Sequence, residues 1–173
     1  MNRKALLFII IVSYYFFMGC NSSAKKSKEE YDERIEKLVL QENKIGIDYT
    51  FKARSPKNES VDDYIITYLG SIQTINGDSL RFLKEIHFSG SSELTQHGSC
   101  VVTIYNSNQE KLGFYYVGGA TDGPTRIERD KLIFDSREDC NLTTSISFRD
   151  SIPNQIFVRC TEKGGDLFTF GNQ

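Results

Sequence analysis

The chain has 173 residues, with 21 basic and 23 acidic side chains, two histidines and no tryptophan. The formal net charge of −2 argues against the clustered excess of lysine and arginine with which proteins bind nucleic acid or an anionic membrane. The length suits one domain with a core of its own, and the lack of tryptophan disfavours aromatic stacking on sugars or bases.

The first twenty residues have the layout of an export signal. Arg3 and Lys4 precede an uncharged run over residues 5–18, and Gly19-Cys20 closes it. The run has 14 residues, fewer than the roughly 20 that span a bilayer as a helix. A basic start, a short apolar run and a small residue before the cleavage point are typical of a signal peptide.

Phe17-Met18-Gly19-Cys20 resembles the lipobox of bacterial lipoproteins, in the looser form that Bacteroidota use. The resemblance implies that residues 1–19 are removed and that Cys20 carries lipid, which anchors the chain to a membrane. It also implies a place in the bacterial cell envelope, as an outer-membrane lipoprotein on the periplasmic face or at the cell surface. In composition the chain is similar to small envelope lipoproteins of unknown function, a likeness that transfers no site residue.

Residues 20–43 are expected to connect the anchor to the domain. Residues 21–30 are small, polar and charged, which indicates a flexible tether. From Glu29 to Asn43, apolar side chains recur at the spacing of one helix face, at Tyr31, Ile35 and Leu38. A short amphipathic helix is therefore predicted before a single domain over residues 44–173.

Residues 44–173 show the alternation and turn residues of β-strands. Alternating apolar side chains from Ile45 to Ala53 predict a half-buried strand. Two further strands, around a type I′ turn at Asn76-Gly77, predict a hairpin. The other predicted strands lie at 102–104 and 112–116, as a second hairpin that turns at Asn106–Glu110, at 131–135, at 144–148 and 155–160 as a third hairpin, and at 167–170 after a turn at Gly164-Gly165.

Short strands separated by glycine, asparagine and aspartate, with no helical period among them, predict an all-β fold. We expect an antiparallel β-sandwich or a small barrel of about 8–9 strands. A parallel α/β sheet is not expected, because no helical segment connects the strands.

Three cysteines remain once Cys20 is assigned to lipid, which allows one disulfide and one thiol in an oxidising compartment. Cys100, Cys140 and Cys160 form three possible pairs that the sequence does not separate. A disulfide closing the loop from Cys140 to Cys160 would contribute about 3 kcal/mol. A hairpin over 144–160, however, would set these two about 10 Å apart, beyond the roughly 7 Å reach of a disulfide, unless a bulge intervenes.

The strongest candidate for chemistry is His97-Gly98-Ser99-Cys100, with His87 ten residues upstream. Two histidines and a cysteine suit zinc, and a His–Cys pair can activate a thiolate. No metal-binding or catalytic spacing accompanies them, and a loop histidine beside an oxidised cysteine is favoured instead. No metal, cofactor or catalytic residue is therefore predicted.

The glycine-rich segment Gly118–Pro124 offers two further alternatives. A phosphate-binding loop requires a helix directly after it, whereas residues 125–134 have the pattern of a strand. A calcium site at Asp122 with Glu128 or Asp130 follows no known loop spacing. The segment is therefore predicted to be a turn.

Two Asp-Ser-aliphatic triplets, Asp78-Ser79-Leu80 and Asp150-Ser151-Ile152, occur at predicted turns. They resemble the acceptor sites of O-glycosylation in Bacteroidota. Ordinary turn residues are the alternative explanation, because so short a pattern arises by chance.

These patterns predict a lipid-anchored, non-enzymatic binding or interaction module whose partner is a protein or a glycan. Its binding surface is expected on edge strands or on the Ser89–His97 and Gly118–Pro124 loops, because loops on a rigid scaffold carry most binding residues. An inhibitor or immunity lipoprotein acting against a hydrolase is one alternative. A metal-dependent enzyme that uses His87, His97 and Cys100 is another, less favoured one.

Overall fold

The computed structural model describes residues 32–54, 61–90, 95–137 and 140–172. The signal peptide, the acylated Cys20 and the tether lie outside these ranges and stay predictions. The chain divides into two units between Lys37 and Leu38, and the second unit contains every strand of the described ranges. Within those ranges, no helix is both long and apolar enough to cross a bilayer.

One helix, α1, spans residues 32–42 of the described chain, so the predicted helix is present, but its apolar face is not the predicted one, since Leu38 is 50% exposed while Val39 and Leu40 are buried beside Ile35. Ten strands follow it in the described ranges. They are β1 (Asp48–Arg54), β2 (Val61–Gln73), β3 (Ser79–Gly90), β4 (His97–Tyr105), β5 (Lys111–Gly119), β6 (Arg126–Glu128), β7 (Lys131–Phe134), β8 (Thr144–Ser147), β9 (Gln155–Thr161) and β10 (Gly164–Gly171).

The strands form two antiparallel sheets. Seven of them lie in the order β1-β2-β3-β4-β5-β10-β9, and β6-β7-β8 form the smaller sheet. The predicted all-β antiparallel fold is confirmed. In the described part of the chain the large sheet ends at β1 and β9, so it does not close into a barrel.

The apolar core combines one face of the large sheet with side chains of the smaller sheet. Phe82 of β3 and Tyr115 of β5 are both fully buried, and each meets the ring of Phe148 edge-on. The ring centroids of Phe82 and Phe148 are 4.9 Å apart. Burying a side chain of this size stabilises the fold by roughly 1.5–3 kcal/mol, so Phe148 is a principal link within this core.

The first strand is shorter than its alternating pattern predicts. β1 begins at Asp48, and Ile45 and Ile47 are 68% and 50% exposed. Gly46 takes a φ of +74° and donates its N–H to the carbonyl oxygen of Tyr68 at 2.9 Å. Because this left-handed residue turns the chain before the ladder starts, the two isoleucines do not share the buried face.

The β2–β3 hairpin is confirmed, but its turn is not the predicted type I′. The N–H of Gly77 bonds to the carbonyl oxygen of Thr74 at 3.0 Å, so Ile75 and Asn76 are the central residues of the turn. Gly77 follows with a φ of +89°, and neither central residue has a positive φ. Two central turn residues followed by a glycine in the left-handed region form the three-residue type of hairpin loop.

The predicted hairpin between residues 144–148 and 155–160 is wrong. β8 pairs with β7, and β9 pairs with β10. The connecting segment bonds to other elements instead, since the N–H of Phe148 donates to Asp130 and the carbonyl oxygen of Arg149 accepts from Ile75. Gly164 and Gly165 belong to β10 rather than to the turn before it.

Cys140 and Cys160 form the disulfide, with their Cα atoms 4.3 Å apart. The expected separation of about 10 Å assumed a hairpin that does not form. Instead, the backbones of Arg137 and Cys140 bond to each other at 2.7 and 3.0 Å, which folds this segment back toward β9. Cys100 is the free, buried thiol.

Candidate functional site

The two histidines and Cys100 do not converge. His87 pairs with Ser99, and Cys100 pairs with the neighbouring Ile86. Because successive side chains of a strand point to opposite faces, both histidines lie on one face of the sheet and Cys100 on the other. In the ranges that the structure describes, no three His, Cys, Asp or Glu side chains are grouped to hold a metal ion.

Cys100 is a core residue whose environment opposes thiolate formation. Its side chain is fully buried, and Gly123 packs directly against its sulfur atom. This burial raises the pKa of the Cys100 thiol to about 12. Since the thiolate is the reactive form of cysteine, the site does not favour a nucleophile.

His87 is fixed by its neighbours on the large sheet. Its Nε2 lies 3.1 Å from Oδ1 of Asp62, and its ring stacks on Tyr64 at 4.5 Å with an interplanar angle of 7°. The hydroxyl of Ser99 donates to the carbonyl oxygen of His87 at 3.5 Å. These contacts of His87 comprise an Asp–His pair and a stacked tyrosine but no nucleophile on the ring, and the register of β2 and β3 brings the pair together.

Gly118 and Gly119 end β5, so the turn predicted for Gly118–Pro124 is confined to residues 120–123, and its carboxylate is already engaged. Asp122 accepts the N–H of Gly119 at 2.6 Å and pairs with Arg137 at 2.6 Å. Arg137 also donates to the carbonyl oxygen of Thr121 at 2.9 Å. Asp122 and Arg137 therefore fix the conformation of the predicted binding loop through these hydrogen bonds and this ion pair.

The two edges of the large sheet differ in character. β9 exposes Phe157, and its cross-strand partner Leu167 is also exposed. β1 carries Lys52, which pairs with Asp63 at 3.9 Å. A charged side chain on an edge strand discourages pairing with another chain, and β9 carries one as well, the exposed Arg159.

A groove of about 620 Å³ lies at one end of the large sheet, where three chain segments meet. We call it the three-turn groove, because the β2–β3 turn, the β4–β5 turn and residues 150–152 line it. Leu80 and Ile152 supply apolar surface. Its polar groups come mainly from Asn76, Asp78, Ser107 and Asp150.

Internal hydrogen bonds brace the walls of the three-turn groove. The side chain of Asn106 donates to Glu110 at 2.6 Å and accepts the N–H groups of Asn108 and Glu110 at 2.9 and 3.0 Å. The hydroxyl of Thr74 accepts the N–H of Asp78 at 3.1 Å. These turns are therefore set in place before any ligand arrives.

Both Asp-Ser-aliphatic triplets contribute to the three-turn groove. Within the described chain, the carboxylates of Asp78 and Asp150 make no hydrogen bond and no ion pair. Two turns that are about seventy residues apart in sequence thus present free carboxylates to one groove.

A second groove of about 600 Å³ lies beside the smaller sheet. We call it the basic groove, because Arg129, Lys131 and Arg149 line it together with Glu128 and Asp130. The N–H of Ile75, in the β2–β3 turn, donates to the carbonyl oxygen of Arg149 at 2.7 Å. Arg149 lines the basic groove, and the next residue, Asp150, lines the three-turn groove.

Neither groove was anticipated from the sequence. The expected loops were Ser89–His97, of which residues 91–94 lie outside the described ranges, and Gly118–Pro124. The grooves involve residues 73–80, 106–112, 128–133 and 145–152. Their only sequence signal is the presence of turn residues, which does not reveal which turns meet.

Comparison with known proteins transfers no site to this chain. No family model, no curated protein and no solved structure matches it. Its function is therefore argued from the two grooves and from the export signal.

Proposed function

We propose that this chain is a lipid-anchored binding module of the bacterial cell envelope, without catalytic activity, that holds a protein or glycan ligand in the three-turn groove. The observation that carries the proposal is the convergence of two braced turns and residues 150–152 on a groove of about 620 Å³. Ligand pockets in proteins have volumes of about 300–1,000 Å³. The groove therefore has the size of a binding site.

The lining of the groove supports binding. Apolar side chains such as Leu80 lie beside amide, hydroxyl and carboxylate groups. Apolar contact supplies affinity, whereas a few polar groups set orientation and specificity. The braced turns at Thr74 and Asn106 reduce the conformational entropy that binding would otherwise cost.

The chemistry of the lining favours binding over catalysis. Among the described residues that line the groove, the titratable side chains are the carboxylates of Asp78 and Asp150. General acid–base or nucleophilic catalysis needs a base and a nucleophile within hydrogen-bond reach of each other. His87 and Cys100, the candidates for such roles, lie outside this groove.

The anchor rests on the lipobox resemblance at Cys20. Feeding cells a clickable palmitate analogue should label the chain, and Cys20→Ser should abolish the label. A full-length, unlabelled chain in the membrane fraction would contradict the anchor.

The groove is tested by filling it. Ser107→Trp places an indole in the three-turn groove, and Glu162→Trp places the same ring at the β9–β10 turn as a matched control. The purified full chain is screened against glycan arrays and against envelope proteins by cross-linking. The expected result is a ligand that wild type and Glu162→Trp retain and that Ser107→Trp loses.

Two results would contradict the binding role of this groove. One is a ligand that Ser107→Trp retains with unchanged affinity. The other is an intact mass that shows glycan on Ser79 or Ser151, because the groove would then be an acceptor of O-glycosylation.

A further inference from the structure

We propose that the basic groove is a separate anion site that takes a phosphate group. Its three cations come from the β6–β7 turn, from β7 and from the residue two positions beyond β8. These are Arg129, Lys131 and Arg149. The site is independent of the three-turn groove and of any ligand held there.

The charges in the basic groove are unbalanced. Glu128 is bound by Arg126 at 2.7 Å, and Asp130 accepts the hydroxyl of Ser147 at 3.2 Å. Within the described chain, Arg129, Lys131 and Arg149 make no side-chain hydrogen bond and no ion pair. The groove therefore presents three available cations against one carboxylate, that of Asp130, whose charge the Ser147 hydroxyl does not neutralise, in a protein whose formal net charge is −2.

The backbone holds the two arginines in fixed positions. The carbonyl oxygen of Asp130, next to Arg129, accepts the N–H of Phe148 at 3.0 Å. Arg149 is held at both ends, because its N–H donates to Ser147 at 3.3 Å and its carbonyl oxygen accepts from Ile75. A site with a fixed backbone loses little conformational entropy when it takes up a ligand.

Arg129 occupies a position that favours glycine. Glu128 pairs with Lys131, so Arg129 and Asp130 form a two-residue hairpin loop. The φ of Arg129 is +57°, in the left-handed region, and that of Asp130 is not positive. Glycine is preferred at the first position of such a loop. An arginine kept at a strained position is an observation that points to function.

Phosphate matches this arrangement better than a singly charged group does. A guanidinium presents a planar fork of N–H donors that binds phosphate oxygens in pairs. A phosphate monoester carries a charge of about −1.5 to −2, which calls for more than one cation. The phosphate of a lipid headgroup and that of a soluble molecule or polymer share this chemistry.

The site is tested by titrating the processed full chain in uncharged detergent micelles. Inorganic pyrophosphate is the soluble probe, and phosphatidic acid, whose headgroup is a phosphate monoester, is the lipid probe added to the micelles. Binding is followed by the NMR shifts of the backbone amides of Lys131 and Arg149. Wild type should show saturable shifts with at least one probe. Arg129→Ala combined with Arg149→Ala should weaken that binding at least tenfold.

The matched control removes two positive charges elsewhere. Arg159→Ala with Lys163→Ala changes the β9–β10 hairpin and should alter the affinity by less than twofold. Saturation with phosphatidic acid alone would identify the source as a membrane headgroup, and saturation with pyrophosphate would identify a soluble phosphate. Equal losses in the two double variants would overturn the site, because they indicate general charge attraction. Failure of both probes would overturn it as well.

A single substitution separates folding from binding. Arg129→Gly suits the backbone conformation of the turn and removes the guanidinium, so thermal stability should be retained while phosphate affinity falls. Retained affinity in Arg129→Gly would contradict the role assigned to Arg129.

Discussion

The β2–β3 hairpin and the β8–β9 segment are held together by different kinds of interaction. β2 and β3 share a long backbone ladder from Val61 opposite Gly90 to Gln73 opposite Ser79, with one register shift between Tyr68 and Gly70. β8 and β9 share no ladder, and the hydroxyl of Thr144 instead bonds to the backbone N–H and carbonyl of Arg159, at 3.0 and 3.1 Å. The Cys140–Cys160 disulfide lies beside this contact.

The difference shows how a contact between sheets depends on individual side chains. A ladder distributes its stabilisation over many backbone hydrogen bonds, each with a net contribution of about 0.5–1.5 kcal/mol. The β8–β9 contact concentrates its stabilisation in one hydroxyl and one covalent bond. Single substitutions should therefore be more costly at the β8–β9 contact than in the β2–β3 turn.

The largest effect is expected on removing the disulfide. Cys140→Ala with Cys160→Ala should lower the free energy of unfolding by about 3 kcal/mol, because the unfolded chain regains the entropy of a 20-residue loop. Urea unfolding under non-reducing conditions measures the change. The same free energy in the variant and the wild type would contradict the role of the disulfide.

The next effect is expected at Thr144. Thr144→Val should lower the free energy of unfolding by about 1–3 kcal/mol, because the N–H and C=O of Arg159 lose their partner. Thr144→Ser keeps the hydroxyl and serves as the matched control in the same urea experiment. If Thr144→Val and Thr144→Ser had the same free energy of unfolding, the hydroxyl would not be the link between β8 and β9.

A smaller effect is expected in the β2–β3 turn. A Cβ at Gly77 would meet nothing within 4 Å, so the cost of Gly77→Ala comes only from its φ of +89°. We expect a loss of about 1 kcal/mol, the typical cost of a left-handed conformation for alanine. Thermal unfolding measures the loss. If Gly77→Ala lost more stability than Thr144→Val, the β2–β3 ladder would be the weaker of the two contacts.

The smallest effect is the pH dependence of stability that we expect from Cys100, the cysteine outside the disulfide. The pKa of the Cys100 thiol is raised to about 12 by burial, whereas an unfolded thiol has a pKa of about 8.5. The folded state therefore keeps a proton that the unfolded state loses, so stability falls as pH rises above about 8.5. We expect a loss of under about 1 kcal/mol between pH 7 and pH 9.

Urea unfolding at the two pH values tests this expectation. Cys100→Ala removes the thiol and should make the pH dependence smaller by that amount. The disulfide cysteines do not titrate, so the double variant at Cys140 and Cys160 is not the relevant control. An unchanged pH dependence in Cys100→Ala would assign the effect to another group.

Features carried by neighbouring residues were predictable from the sequence. The amphipathic pattern predicted α1, because a helix is formed by contacts within a few residues. Alternation and turn residues predicted the β2–β3 and β4–β5 hairpins, because a hairpin pairs segments that are adjacent in the chain. The turn at Gly118–Pro124 was predictable for the same reason.

Features that depend on distant residues were decided by the tertiary structure. Segment 144–148 has a strand pattern that fits either β7 or β9, and packing of Phe148 with Phe82 and Tyr115 accompanies its place beside β7. The pairing of β8 with β7 also bears on the disulfide. The expected separation of Cys140 and Cys160 assumed a hairpin over 144–160, and that hairpin does not form. The Asp62–His87 pair followed only from the register of β2 with β3.

The amino-acid sequence by itself determined that the chain is antiparallel β with a short helix before it, since alternation, turn chemistry and helical period are local properties. Only the tertiary structure decided which turns meet, and therefore where the three-turn and basic grooves lie. The physical reason is that each groove is built from turns whose own sequences specify a change of direction and not a neighbour.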